Sequence, residues 1–282
     1  MIIKLTGADF SAKNIGTISV PIEIDADIQQ ILSHYTRSLT DKQKYAFQLF
    51  YRGLQSNNLL GKITNLYLPI LANSVNEAMF NIVADKVDAT NVGNSLYAMD
   101  SKNALYCTQT NMTEVANPLS FPYSASTKNM HLMMYIASNV TYAAGTSSYL
   151  FGCGKYSSDI LQMYYAGASS GLGATLKLMI MGSGEINGTE MSGLIIGKGA
   201  KIVSVGSDAN ALFNADKKTK STNASSVITN DTKFTKDVMP FLAYSKKATN
   251  VTPAYVMSAG SALTADDMAT YNTLLDTFVN SI

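Results

Sequence analysis

Between Asn76 and Met257 the apolar positions fall in short runs that alternate with polar breaks. The runs are Asn129–Ala137, Ser148–Gly152, Ile160–Tyr165, Thr175–Met181 and Gly193–Gly197. Clusters of Gly, Ser, Asn and Asp separate them. Short runs with turn residues between them predict an antiparallel β-sandwich. Asn187-Gly188 is a dipeptide that favours a hairpin turn. Gly206 to Asp231 is polar and rich in Ser, Asn and Lys, with Ala211-Leu-Phe213 embedded in it, which predicts a long loop or a short strand flanked by loops. Pro240–Tyr244 and Ala254–Met257 read as closing strands.

The flanks differ. Ile2–Leu5 and Gly16–Ile24 have strand spacing. Asp27–Leu39 places Ile28, Ile31, Leu32 and Tyr35 at helical spacing. Thr40-Asp-Lys-Gln43 is a capping box, and the helix that it opens carries Phe47, Phe50, Tyr51 and Leu54 on one stripe. Leu59–Leu71 reads as a buried connector stopped by Pro69. At the other end, Thr264-Ala-Asp-Asp267 caps a helix over 264–281 whose stripe is Met268, Tyr271, Leu274, Leu275, Phe278, Val279 and Ile282. The expected organisation is an N-terminal strand-plus-two-helix block over 1–75 and a sandwich over 76–282. Phe47, Phe50, Tyr51 and Leu54 are then candidates for an attachment or oligomer interface.

Composition narrows the function. Of 282 residues, 46% are hydrophobic, enough for a core, and only 15% are charged. The formal net charge of +1 gives no field to recruit nucleic acid or an anionic membrane. Lys217-Lys-Thr-Lys220 lies in polar surroundings and reads as a solvated loop. No window approaches the roughly 18 apolar residues of a membrane span. The start reads as a strand rather than a signal peptide, which points to synthesis in a cytoplasm. Cys107 and Cys153 read as buried thiols, with a disulfide between adjacent strands left open.

Candidate chemistry is sparse. Glu185-Ile-Asn-Gly-Thr-Glu190 is similar to the Glu-Ile-Asp-x-x-Glu signature of laminarinase-like glycoside hydrolases, in which two carboxylates flank the scissile bond. Asn187 replaces the central acid, and a turn at Asn187-Gly188 would aim Glu185 and Glu190 in unrelated directions. His34 and His131 are the only histidines and stand far apart in sequence, which disfavours a triad or a histidine metal site. Gly182-Ser-Gly184 and Gly197-Lys-Gly199 lack the context of phosphate loops. Asp208, Asn210 and Asp216 are the calcium candidates, although no dense Asp-x-Asp run supports them. Of the 16 tyrosines, Tyr149, Tyr156 and Tyr164 are candidates for stacking on a sugar. No cofactor is expected.

The segments Thr6-Gly-Ala-Asp-Phe-Ser11, Tyr35-Thr-Arg-Ser-Leu-Thr-Asp41, Ala46-Phe-Gln-Leu-Phe50 and Ile63–Leu71 resemble virion structural proteins of tailed phages of gut Bacteroidetes, including the crAss-like phages. The strand array followed by Ala262-Leu-Thr-Ala-Asp-Asp-Met-Ala-Thr-Tyr271 is similar to concanavalin A-like, or laminin-G-like, jelly rolls. The resemblance implies a head fibre, or a capsid or tail decoration, located in the virion. It implies a homo-oligomer, often a trimer, with capsid or tail proteins as partners, and it supplies no catalytic residue. The expectation is a mainly β protein without catalysis, an antiparallel jelly-roll sandwich with a small N-terminal α/β block and a C-terminal amphipathic helix. A carbohydrate-binding adhesin, engaging host surface glycan through loops at Gly154–Ser158 and Asn214–Asn230, is the alternative. A hydrolase using Glu185 and Glu190 is the third reading.

Overall fold

The computed structural model describes residues 22–90, 92–93, 96–108, 119–122, 126, 128–141, 145, 147–153, 161–167, 173–180, 185–193, 195–208, 210–224, 238–240 and 252–282. The expected strand at Ile2–Leu5, residues 16–21 of the next one, and residues 241–244 lie outside them. The helices are α1 Ala26–Leu32, α2 Asp41–Ser56, α3 Val75–Ala78 and α4 Ala265–Val279. The strands of the first half are β1 Ile63–Tyr67, β2 Phe80–Asn81, β3 Lys86–Val87, β4 Tyr97–Met99, β5 Leu105–Cys107, β6 Ser120–Pro122, β7 Met130–Ile136, β8 Val140–Thr141 and β9 Ser147–Cys153. Those of the second half are β10 Leu161–Gly167, β11 Gly173–Ile180, β12 Glu185–Ser192, β13 Ile195–Ile196, β14 Gly199–Val205, β15 Asn210–Ala215, β16 Lys218–Asn223, β17 Val238–Pro240 and β18 Ala254–Gly260.

Two antiparallel sheets dominate. The larger runs β16-β15-β14-β7-β18-β1-β2-β3, with β5 also paired to β18 and β4 paired to β5. The smaller runs β12-β11-β10-β9. Leu132, Met134, Val203 and Phe213 of the large sheet face Met163, Tyr165, Leu176 and Leu178 of the small one in a single core. The other face of the large sheet, with Met133, Tyr135, Ile202 and Val256, packs under α2 and α4 in a second core. The result is three layers: helices, large sheet, small sheet. Strand β7 is buried on both faces, so its run Met-His-Leu-Met-Met-Tyr-Ile is almost wholly apolar rather than alternating. The architecture is an antiparallel jelly-roll sandwich closed by a C-terminal helix.

That helix begins as its sequence dictates. Thr264 Oγ1 accepts from Asp267 N at 3.1 Å, and Asp267 Oδ2 accepts from Thr264 N at 2.7 Å. Lys62 Nζ reaches the same carboxylate at 2.6 Å and ties the cap to β1.

Several expectations change. The boundary at residue 75 crosses the large sheet, because β1 lies between β18 and β2. Ile63–Tyr67 of the segment read as a connector is thus an interior strand, buried at four of its five positions, so no alternation marks it. Phe47, Phe50 and Leu54 are buried against α4, with Phe50 stacked on Phe278 at 4.8 Å. They are core, not interface, and Tyr51 is half-buried beside Phe47. Gly53 permits this approach, since a Cβ there would overlap Leu274. The first helix stops at Leu32, short of Leu39, and Tyr35 turns inward to meet Phe80 edge-on. After Gly206 the short-strand reading holds at β15, which contains Ala211-Leu-Phe213, and residues 225–231 lie outside the described residues; β16 rather than a loop follows β15 in a hairpin. Its turn residues Asp216 and Lys217 have φ of 50° and 62°, the left-handed pair that a two-residue hairpin requires. The basic cluster therefore lies on an exposed edge strand, where lysines discourage edge-to-edge pairing.

Candidate functional site

Strand β12 carries the most informative local geometry. Asn187-Gly188 does not turn: Glu185 to Ser192 is one strand paired along β11. Gly188 is needed for another reason. A Cβ there would overlap the Phe213 ring and lie 2.6 Å from the Leu176 carbonyl oxygen, so the two sheets meet through its missing side chain.

The register explains where the carboxylates go. Met179 pairs with Glu185, Lys177 with Asn187, and Thr175 with Glu190. Two residues of β11 thus span three of β12 in the last step, which is a β-bulge. Partners directly across a ladder share a face. The bulge consequently returns Glu190 to the face that holds Glu185 and Asn187, and all three are exposed. Without the extra residue, Glu190 would point into the core.

This face is directed away from the core. On β11 it holds Thr175, Lys177 and Met179, each half-exposed. Lys177 Nζ donates to Glu185 Oε2 at 2.7 Å, and the Tyr164 hydroxyl donates to Glu185 Oε1. Partial burial pushes the Glu185 carboxyl up, but the hydrogen bonds from Lys177 and Tyr164 outweigh it and hold it below its usual range. Toward β10 the face closes, with Gln162 and Tyr164 buried. The arrangement offers fixed acceptors, an ammonium and an amide in one row. It suits hydrogen bonding to hydroxyls and leaves Glu185 ionised.

The sugar-stacking expectation does not hold for Tyr164, which is 2% exposed and cannot present a ring face. Tyr149 pairs with Tyr164 through the backbone. Its side chain, all of Tyr156 and the loop Gly154–Ser158 lie outside the described residues. The calcium candidates do not converge. Asp208 accepts from the Asn210 backbone and side-chain N–H groups at 3.1 and 2.7 Å, so Asn210 presents donors to it rather than a ligand oxygen. Asp216 lies at the far end of β15 and takes the buried Lys201 ammonium. Among the described residues no group of three His, Cys, Asp or Glu could hold a metal ion.

His131 is wholly buried. Its Nδ1 lies 2.6 Å from the Ser261 carbonyl oxygen and Nε2 lies 3.4 Å from Ser258 Oγ, which also accepts from the Tyr271 hydroxyl at 3.0 Å. Ser258 is 1% exposed, so this serine–histidine pair is a sealed core network with no path for a substrate. His34 stacks on Phe80 at 4.0 Å, with Asp85 3.4 Å away. Cys107 and Cys153 lie in different sheets, on β5 and β9.

No family model and no curated protein matches the chain. Solved structures do. The ligand binding domain of botulinum neurotoxin serotype D, in complex with N-acetylneuraminic acid, aligns at a TM-score of 0.54 and 8% identity, over 77% of this chain and 52% of that one. A botulinum neurotoxin type C structure aligns at 0.53 and 9% identity, over 78% of this chain and 53% of that one. A family 7 alginate lyase aligns at 0.43 and 12% identity, over 72% and 96%. The chain spans about half the length of the neurotoxin structures, and at these identities the likeness is one of fold.

Proposed function

We propose that this chain is a non-catalytic, glycan-binding jelly roll displayed on a phage virion, as a head fibre or as a capsid or tail decoration subunit. The observation that carries the binding reading is the outward polar row of Lys177, Glu185, Asn187 and Glu190, aligned by the β12 bulge. Neutral sugars are recognised by such fixed donors and acceptors. The neurotoxin neighbours support it, since one is described in complex with N-acetylneuraminic acid and cell entry of the other as dependent upon interaction with two ganglioside molecules. The virion setting rests on the resemblance of the segments at Thr6, Tyr35, Ala46 and Ile63 to phage structural proteins.

The same bulge also gives a hydrolase its first requirement, two carboxylates on one face. Against it, Glu185 is held low, which does not suit a general acid, and the residue between the carboxylates is an amide where the hydrolase signature has an acid. A glycan array read with and without calcium tests binding. Wild type should bind in both conditions, with Lys177→Ala and Asn187→Ala each reducing the signal. An empty array removes the binding reading. Release of reducing ends from polysaccharides that Glu190→Gln abolishes would establish catalysis instead. Mass spectrometry of purified particles checks the virion setting, and absence of the chain from them would end it.

A further inference from the structure

On the helix side of the large sheet, the side opposite the small sheet that holds β12, α4 and the β15–β16 hairpin enclose a groove of about 430 Å³. Its floor is two amides. Asn214 is 2% exposed and Asn272 is 8% exposed, and Asn272 Nδ2 donates to Asn214 Oδ1 at 2.8 Å. Asn214 Nδ2 in turn donates to Thr219 Oγ1 at 3.1 Å. Asp276 forms the wall, accepting from the Tyr135 hydroxyl at 2.9 Å and from Lys217 Nζ at 3.0 Å.

Asn272 breaks the apolar stripe of α4, whose other buried members are Met268, Tyr271, Leu275, Phe278 and Val279. A buried amide pair costs desolvation that an apolar pair would not. Locking α4 to the hairpin would use one hydrogen bond, and this pair has more capacity than that. An Asn amide carries two N–H donors and a carbonyl acceptor. Within the described chain, Asn272 uses one donor and leaves its carbonyl free, Asn214 leaves one donor free, and the Thr219 hydroxyl keeps its own hydrogen. All three residues line the groove.

We propose that this groove binds one neutral sugar unit. Adjacent ring hydroxyls each donate and accept, which matches the mixed capacity of Asn272, Asn214 and Thr219. The Lys217–Asp276 pair cancels its own charge, so neither an anion nor a cation is favoured. Among the described residues that line the groove, all but Ala269 carry a polar side-chain group.

The test is saturation-transfer NMR on the full chain with free glucose, galactose, mannose and N-acetylglucosamine, each at about 10 mM, since a few solvated hydrogen bonds support affinities on the order of 1 mM. At least one sugar should show transfer. Asn272→Leu should abolish it, at some cost in thermal stability because the buried Asn214 carbonyl oxygen loses its donor. Thr219→Val, an exposed change that cannot unfold the chain, should weaken it several-fold. Every measurement is made in the Lys177→Ala background, so that the β12 row adds no transfer and the groove variants report on the groove alone. No transfer from any of the four sugars, or transfer that survives both groove variants, overturns the proposal.

Discussion

His131 shows how one buried side chain sets a pH limit on the whole fold. Burial lowers its pKa to about 4 from the 6.5 of an exposed imidazole, more than the hydrogen bond to Ser261 restores. The unfolded chain therefore takes up a proton between those values while the folded chain does not. Stability is present above pH 6.5 and is lost as the pH falls through 4, by a total on the order of 3 kcal/mol. Urea midpoints at pH 7.5, 5.5 and 4.5 should decline across this window, and in His131→Gln the decline should flatten. Gly188 offers a second test at the same scale. Gly188→Ala forces a Cβ into the Phe213 ring, so it should destabilise by about 2 kcal/mol. Combining it with Phe213→Leu should recover part of that loss in chemical denaturation. A residue that served only as a turn would show no coupling to Phe213.

The elements legible in the sequence were those whose burial is one-sided or complete over a long run. Strands β7, β9, β10, β11 and β18 stand where apolar runs place them, and α4 begins at its capping box. Three features were not legible, each for a physical reason. The interior strand β1 is buried at four of its five positions, so it shows no alternation to tell it from a buried connector. The β15–β16 turn uses Asp216-Lys217, a pair without glycine, so its left-handed geometry leaves no mark. The Asn187-Gly188 pair mimics a turn because glycine serves turns and close sheet packing equally, and only Phe213, 25 residues on, decides between them. The partner of the α2 stripe was hidden as well. Phe47, Phe50 and Leu54 declare an apolar face but not what covers it, and the cover is Phe278, more than 200 residues away. Phe278→Ala should accordingly cost about 3–5 kcal/mol. Leu49→Ala, on the exposed side of α2, should change stability by no more than about 0.5 kcal/mol. Comparable effects on stability from both would return the α2 stripe to the surface.

At the scale of the molecule, the layering decides which face is available for recognition. One face of the large sheet is closed by α2 and α4 and the other by the small sheet, so the outward side of β11 and β12 is the polar sheet face left for a ligand among the described residues. Such a row makes few contacts per copy, and a single site of this kind binds weakly. On the proposed virion, attachment comes from copy number: once one site is engaged, the others act at a high effective concentration, and avidity rises by 10²–10⁴ without any new contact. This gives the reading a quantitative consequence. The full chain should sediment as a homo-oligomer at micromolar concentration, trimeric in line with its phage resemblance. Its retention on a glycan surface should fall far more than threefold when wild type is mixed with excess Lys177→Ala subunits, because each mixed oligomer loses the coupling between its sites. Retention that scales linearly with the wild-type fraction would mean that each copy binds alone. A monodisperse monomer would remove the oligomer while leaving the site on β12 to stand or fall by its own variants.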